Sequence, residues 1–323
     1  MTNEVRSRLI ARRAATCFSH QGLDVPSVRV AHSAALQTPY ELLLRREGGR
    51  ITALYNLSLF RHASYQMKHL SAAYWHWFEN APDLREALCD LSDGEQAGRA
   101  RFAYSSNRKD VIPLPDAYFF RDNGFADADR LGQAAPPWQE RSDEIIWRGS
   151  ANGIGLFSTD PARMHDPGVM QRMRLAMLCR DMTEIDVRFA PGSRYFVDPQ
   201  LEAAGLVGQL VAQDSWAGRK FAIDIDGVTN TWDNFLRRLK MGCCVLKVDS
   251  PFGFRQWYYP LLQPFEHYVP IRADLADLAA QIDWVRRHPT EAAHIAQAGQ
   301  AVAVALTRQT ETARAAELMT SFA

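Results

Sequence analysis

The sequence predicts an α/β fold built around parallel sheets, on three observations. Short apolar runs alternate with helical patterns from residue 144 onward. The segments that follow those runs are rich in glycine and small polar residues. The chain, at 323 residues with 47% hydrophobic and 23% charged side chains, is long enough for two cores of ordinary globular composition.

In chain order, the region up to about Leu91 holds several helical patterns. Leu57 to Phe60 leads into Ser71, Ala72, Tyr74, Trp75, Trp77 and Phe78, with apolar residues recurring at three and four. Such an aromatic stripe at helical spacing is read as core rather than as a sugar platform. Asp93-Gly94-Glu95 makes a turn, Arg101 to Tyr104 a short strand, and Val111-Ile112-Pro113-Leu114-Pro115 a second one ending on Asp116. Its prolines disfavour a central place in a ladder. Gly132 to Arg141, with Pro136-Pro137, has linker composition, so the chain divides into residues 1–135 and 136–323.

Beyond the linker, Glu144 to Trp147 is a strand running into the loop Arg148-Gly149-Ser150-Ala151-Asn152-Gly153-Ile154-Gly155, and a helix follows from about Pro167. Asp186 to Phe189 is a strand, Lys220 to Gly227 a strand and turn, Trp232 to Met241 a helix, and Cys243 to Val248 another strand. This alternation implies parallel βαβ units, whose ligands sit at the carboxyl ends of strands. Leu275 to Leu318 is Ala-rich and helical, and the last helix is expected to fold back on the N-terminal domain.

Lys plus Arg equals Asp plus Glu at 37 each, so no long-range field favours a nucleic acid partner. The basic stretches Arg6 to Arg13 and Arg45, Arg46 and Arg50 read as solvated faces that leave room for a peripheral membrane contact. Five scattered cysteines without metal-type spacing fit a reducing compartment. The N-terminal residues never reach the apolar run of a secretion signal, and no stretch approaches the ~20 apolar residues that span a bilayer. The expected location is the cytoplasm, including the inner face of the membrane.

Several constellations could carry chemistry. The glycine-rich loop at 148–155 precedes a helix, an arrangement in which backbone N–H groups approach a phosphate, and Arg163, Arg172 and Arg174 follow it. Asp224-Ile225-Asp226 has the form of a metal-binding acidic pair, although such acids more often cap the next turn. No GxSxG or HExxH occurs, and His267 reads as a satisfied core histidine. Carboxylates are left as general-base candidates, Asp116 and Asp122 foremost.

Four stretches, in order, resemble glycosyltransferase family 90: NRKDVIPLPDAYFF (107–120), DEIIWRGSANG (143–153), KFAIDIDGVTNTWDNFLRRLKMGCCVLKVDS (220–250) and FRQWYYPLLQPFEHYVPI (254–271). Similarity spans roughly residues 100–305, and the first hundred residues resemble mainly the bacterial branch. The resemblance implies two Rossmann-like domains facing a cleft, the glycosyltransferase B type, with an N-terminal acceptor-side domain and a C-terminal nucleotide-sugar domain. It implies an inverting, metal-independent transfer from a nucleoside diphosphate sugar, a UDP-sugar foremost, which serves as co-substrate with no further cofactor. The acceptor would be a hydroxyl of a lipopolysaccharide-type cell-surface glycan. A protein O-glycosyltransferase is the alternative, and a non-catalytic sugar-nucleotide or glycan-binding module a third reading.

By the same resemblance, Asp116 falls on the family's catalytic aspartate, with Asp122 as fallback. The donor-binding positions are Arg148, Gly149, Ser150 and Arg172, then Gly227, Thr229, Asn230, Thr231 and Trp232 in the loop that wraps the phosphates. Where the animal enzymes carry an arginine at the end of that loop, this chain has Asn234, and Arg237 or Arg255 would substitute.

Overall fold

The run Glu41-Leu-Leu-Leu-Arg-Arg-Glu47 and the run Arg50 to Tyr55 flank Gly48-Gly49, and in the computed structural model this pair closes a hairpin. Both glycines have positive φ, 53° and 77°, the conformation that a two-residue hairpin loop needs. The structure describes residues 2–59, 64–95, 98–183, 185–191 and 199–321, with the side chains of 64–69 outside that description. Phe60, part of the helical pattern read from the sequence, also lies outside it.

The chain forms two units. Unit 1 takes the residues to Ala126, Phe254–Tyr259 and the chain from Leu306 on. Its elements are α1 (Asn3–Ser19), β1 (Val28–His32), β2 (Glu41–Glu47), β3 (Arg50–Tyr55), α2 (Ser64–Glu79), β4 (Glu86–Asp90), β5 (Phe102–Ala103), β6 (Ile112–Pro113) and α3 (Ala117–Arg121), with the last helix α10 (Arg308–Ser321). The sheet runs β1-β3-β2-β4-β5-β6; β4, β5 and β6 are mutually parallel, whereas β2 is antiparallel to both β3 and β4. The proline-bearing β6 lies at the edge, as its missing N–H groups require.

Beside its helices the first ninety residues hold four strands, β1 to β4, that the helical patterns did not indicate. The helical stripe itself is real: Tyr74, Trp75, Trp77 and Phe78 of α2 are buried in the core. The strands escaped because β2 is a continuous apolar and charged run with no period of two, while its signature was the Gly-Gly turn.

Unit 2 takes Asp127–Gly253 and Pro260–Ala305. Its first break falls at Ala126, ahead of the Pro136-Pro137 segment at which the sequence divides the chain. After α4 (Ala126–Gln133) come β7 (Ile145–Gly149), α5 (Gln171–Cys179), β8 (Ile185–Phe189), α6 (Pro199–Ala203), β9 (Phe221–Asp224), α7 (Asn234–Lys240), β10 (Cys244–Val248), β11 (Val269–Ile271), α8 (Leu278–Arg287) and α9 (Pro289–Ala305). The order β11-β10-β9-β7-β8 is parallel throughout. Such a sheet is covered on both faces, which explains why β9 and β10 are buried at every position. The core gathers Ile145, Trp147, Val187, Ile223, Leu246 and Val269.

Two cross-ties fix α7. Lys240, wholly buried, binds both oxygens of Asp129 at 3.0 and 2.9 Å, and Arg141 donates to the carbonyls of Met241 and Gly242. Among the described residues no helix is long and apolar enough to cross a membrane.

Candidate active site

In unit 2 the chain winds one way from β7 to β8 and the other way through β9, β10 and β11. The carboxyl ends of β7 and β9 therefore flank the topological switch point, where α/β sheets hold ligands. The loop after β7 and the loop after β9 meet there through Arg172 of α5. Its Nη1 donates to the Ser150 carbonyl at 3.1 Å and to the Asn152 side-chain oxygen; Nη2 donates to the Ile225 carbonyl at 3.0 Å. Burial pulls this guanidinium down to about 10, leaving it charged at neutral pH, with Asp224 and Asp226 favouring the cation. A side chain at Gly227 would stand 3.1 Å from Asn152 Oδ1 and 3.2 Å from Arg172 Nη2, so the turn runs directly against the guanidinium.

Asp224 and Asp226 close on a lysine. Lys247 of β10 lies between them, its Nζ 2.9 Å from Asp224 and 2.8 Å from Asp226, with all three side chains buried. Burial opposes the ammonium, but the two carboxylates outweigh it and hold Lys247 well above the usual lysine range. Burial pushes Asp226 upward. The acidic pair thus already carries a cation of its own chain, and among the described residues no three His, Cys, Asp or Glu side chains gather as an ion site.

The turn that follows is tightly made. Gly227 N–H donates to the Asn230 carbonyl at 3.2 Å, the Asn230 amide to the Thr229 hydroxyl at 3.0 Å, and Trp232 N–H to the Asn230 side-chain oxygen. Thr229 and Asn230 are buried. Trp232 has φ +55°, an uncommon and costly conformation for a bulky residue, and the Thr231 hydroxyl is buried without a protein partner. Strained backbone and orphaned buried hydroxyls are features that gather at ligand sites.

Two of the expected donor-site arginines are engaged within the chain. The Arg148 guanidinium turns sideways, donating to the carbonyls of Gln209, Trp147 and Asp186 and to the Asp186 carboxylate, so the strand edge uses its donors. Arg237 is held by Asp127 at 2.6 Å and Asp233 at 3.0 Å. Arg255 belongs to unit 1 and donates to the Arg108 carbonyl. Asn234 sits 3.5 Å from Asp224 at the start of α7. Arg163 pairs with Asp166, and Arg174 donates to the carbonyls of Met164 and Asp274. His267 is satisfied, its Nδ1 accepting from Gln263 N–H.

In unit 1 the carboxyl ends of β4, β5 and β6 also share one edge. Asp116, after β6, has no exposed surface. Oδ1 caps α3 by accepting from the N–H groups of Tyr118 and Phe119 at 2.8 and 2.9 Å, and Oδ2 accepts from the Gln256 amide at 3.0 Å. The Asp116 carboxylate is thus held by these three hydrogen bonds. Asp122 forms a two-pronged pair with Arg121 at 2.7 Å.

A further carboxylate at this edge, read from the sequence only as part of a turn, is Asp93, after β4. Asp90 builds its turn, accepting from Ser92 N–H at 3.0 Å and from the Ser92 hydroxyl at 2.6 Å. Gly94 presses on the next strand end: with φ 105°, a Cβ there would fall 2.2 Å from the Ser105 carbonyl. Asp93 is partly exposed, and burial, with help from Glu95 and Asp90, pushes it up to about 6. Its only sequence signal was an Asp-Gly pair at a strand end, which reads equally as an ordinary turn.

The class defined by this geometry is an α/β protein with a charged, strained edge at the switch point of its second sheet. Residues 170–321, just under half of the chain, match the model of glycosyl transferase family 90, in agreement with the resemblance read from the sequence. The chain is 28% identical over 170 residues to protein O-glucosyltransferase 2 of Danio rerio, covering 52% of this chain and 30% of that one. It is 23% identical over 172 residues to protein O-glucosyltransferase 3 of Homo sapiens (53% and 30%), and 25% identical over 178 residues to uncharacterized protein 179R of Invertebrate iridescent virus 6 (50% and 15%). The match thus spans less than a third of the length of these relatives. Among solved structures, sucrose-phosphate synthase from Thermosynechococcus elongatus aligns at a TM-score of 0.43 with 11% identity, over 97% of this chain and 92% of that one. Anabaena Alr3699/HepE in complex with UDP-glucose aligns at 0.37 with 14% identity, over 61% and 53%.

Proposed function

We propose that this chain is a family 90 glycosyltransferase that moves a sugar from a nucleoside diphosphate sugar, UDP-linked in the first instance, to an acceptor hydroxyl. The observation that carries the reading is the Arg172 tie at the switch point, inside the stretch that matches the family model. Departure of the diphosphate concentrates negative charge, and a buried guanidinium with fixed loops stabilises it without reorganising. Gly149, Ser150, Gly227, Thr229, Asn230 and the unpartnered Thr231 hydroxyl are the donor contacts; Trp232 shapes the turn they share. Lys247, between Asp224 and Asp226, supports a reaction without a metal, since the acidic pair already holds a cation of its own chain.

Inversion at the anomeric carbon needs a base to take the acceptor proton as its oxygen attacks opposite the leaving phosphate. We assign that role to Asp93 in place of Asp116, because it combines partial exposure with a carboxyl raised toward neutrality. The acceptor we favour is a lipopolysaccharide-type surface glycan in a bacterial cytoplasm, at the inner membrane face. A second reading, transfer to a protein hydroxyl, draws on the relatives named as protein O-glucosyltransferases.

The test is thermal shift against a panel of nucleotide sugars and free nucleoside diphosphates, with EDTA and with magnesium. A ligand at a hundred times its dissociation constant adds about 2.7 kcal/mol. One nucleotide family raising the melting temperature equally under both conditions supports the reading, and silence across the panel refutes it.

A further inference from the structure

At the amino ends of β7 and β9, in unit 2, lies a cavity of about 670 Å³ whose lining includes Trp138, Asp143, Glu144, Lys220, Phe221 and Arg286. It lies away from the switch-point loops, which follow the carboxyl ends of the same strands. Its volume falls within the about 300–1,000 Å³ of small-molecule sites. The chemistry of its walls is divided. Trp138 meets Phe221 edge to face at 6.0 Å, and Val285 completes an apolar wall. The rim carries charges of both signs: Lys220 lies 2.7 Å from Asp143, Arg219 pairs with Glu144, and Arg286 adds a further cation.

We propose that this cavity is a second binding site, for a neutral saccharide. An ionic ligand meets charges of both signs on this rim, whereas an uncharged ligand with one apolar face and many hydroxyls matches both surfaces. The indole stacks on the C–H face of a pyranose. The Asp143 and Glu144 carboxylates keep lone pairs free of their single cation contacts and accept from its hydroxyls, and Lys220 donates to a ring or glycosidic oxygen. The site holds a glycan chain apart from the point of transfer, as an anchor for a polymeric acceptor. The binding claim stands without the transfer reading; only the anchoring role rests on it.

The experiment titrates the full chain with maltose, cellobiose and lactose, following tryptophan fluorescence and calorimetry, with glucose 6-phosphate as a charged control. We expect saturable binding of at least one disaccharide, a dissociation constant unchanged between low and high salt, and a loss of at least tenfold in Trp138→Ala. Asp143→Asn, at an exposed position, weakens binding severalfold and covers the case in which the tryptophan variant fails to fold. The melting shift given by UDP stays the same in Asp143→Asn, which separates this site from the donor site. Absence of saturable binding by all three disaccharides, affinity unaltered by Asp143→Asn, or tighter binding of glucose 6-phosphate than of the disaccharides each overturns the proposal.

Discussion

Arg172 Nη2 donates to the carbonyl oxygen of Ile225 at 3.0 Å, which ties the helix after β7 to the loop after β9. Arg172 therefore has two consequences when removed. Arg172→Ala lowers turnover by about 10²–10³ at saturating donor, the usual effect of losing one charge-stabilising donor. It also destabilises the fold by about 1–3 kcal/mol, because buried carbonyls lose their partner. Arg172→Lys keeps the charge but not the fork, so it recovers stability more than turnover. Steady-state kinetics beside denaturant melts separate the two effects.

Asp93 should set the acid limb of the pH profile. Its carboxyl titrates at about 6, so the rate rises with pH through that value and levels above it. Asp93→Asn loses about 10²–10⁴ in turnover. The stability effect has the opposite sign. A carboxyl raised in the folded state from 3.8 to about 6 favours folding when protonated, and that contribution is lost as pH rises from below 3.8 through about 6. At pH 7 the asparagine variant should melt above the parent while turning over far more slowly.

Asp116 behaves as a structural residue on this account. Asp116→Ala removes the cap of α3 and leaves the Gln256 amide without its acceptor, at a combined cost of about 2–4 kcal/mol. Gln256→Leu lowers the melting temperature without moving the pH midpoint of the rate. A shift of that midpoint in Gln256→Leu would return the base to Asp116.

Lys247→Met leaves two buried carboxylates facing each other, a change that costs about 3–5 kcal/mol. Unpaired buried acids fold more readily when protonated, so the variant should approach the parent at pH 5 and fall further below it at pH 8. Melting curves across that range check the sign.

The second sheet was legible in the sequence because its strands are buried on both faces and read as bare apolar runs, such as Ile145-Ile146-Trp147 and Cys244-Val245-Leu246. The first sheet was not, since β2 mixes three leucines with two arginines and its register depends on a Gly-Gly turn and on partners far along the chain. Site residues divided in the same way. Arg172 and the 227–232 turn were singled out by the resemblance to family 90, since strand ends and loops alone pointed equally to Arg163, Arg172 and Arg174. Arg148 and Arg237 could not, because which carboxylate captures an arginine is decided by tertiary neighbours such as Asp186 and Asp127. Lys247 left a trace that went unread: a lysine inside an apolar strand has to be paired, and Asp224 and Asp226 were the acids at hand.

The most direct test of glycosyl transfer is the release of nucleoside diphosphate from UDP-glucose and related UDP-sugars by the purified chain, with EDTA present and with acceptor glycans or acceptor protein added. The account predicts sustained release that EDTA leaves unchanged, that acceptor accelerates, and that Arg172→Ala and Asp93→Asn suppress. Binding of the donor with no release under any of these conditions would contradict it and leave a sugar-nucleotide-binding protein.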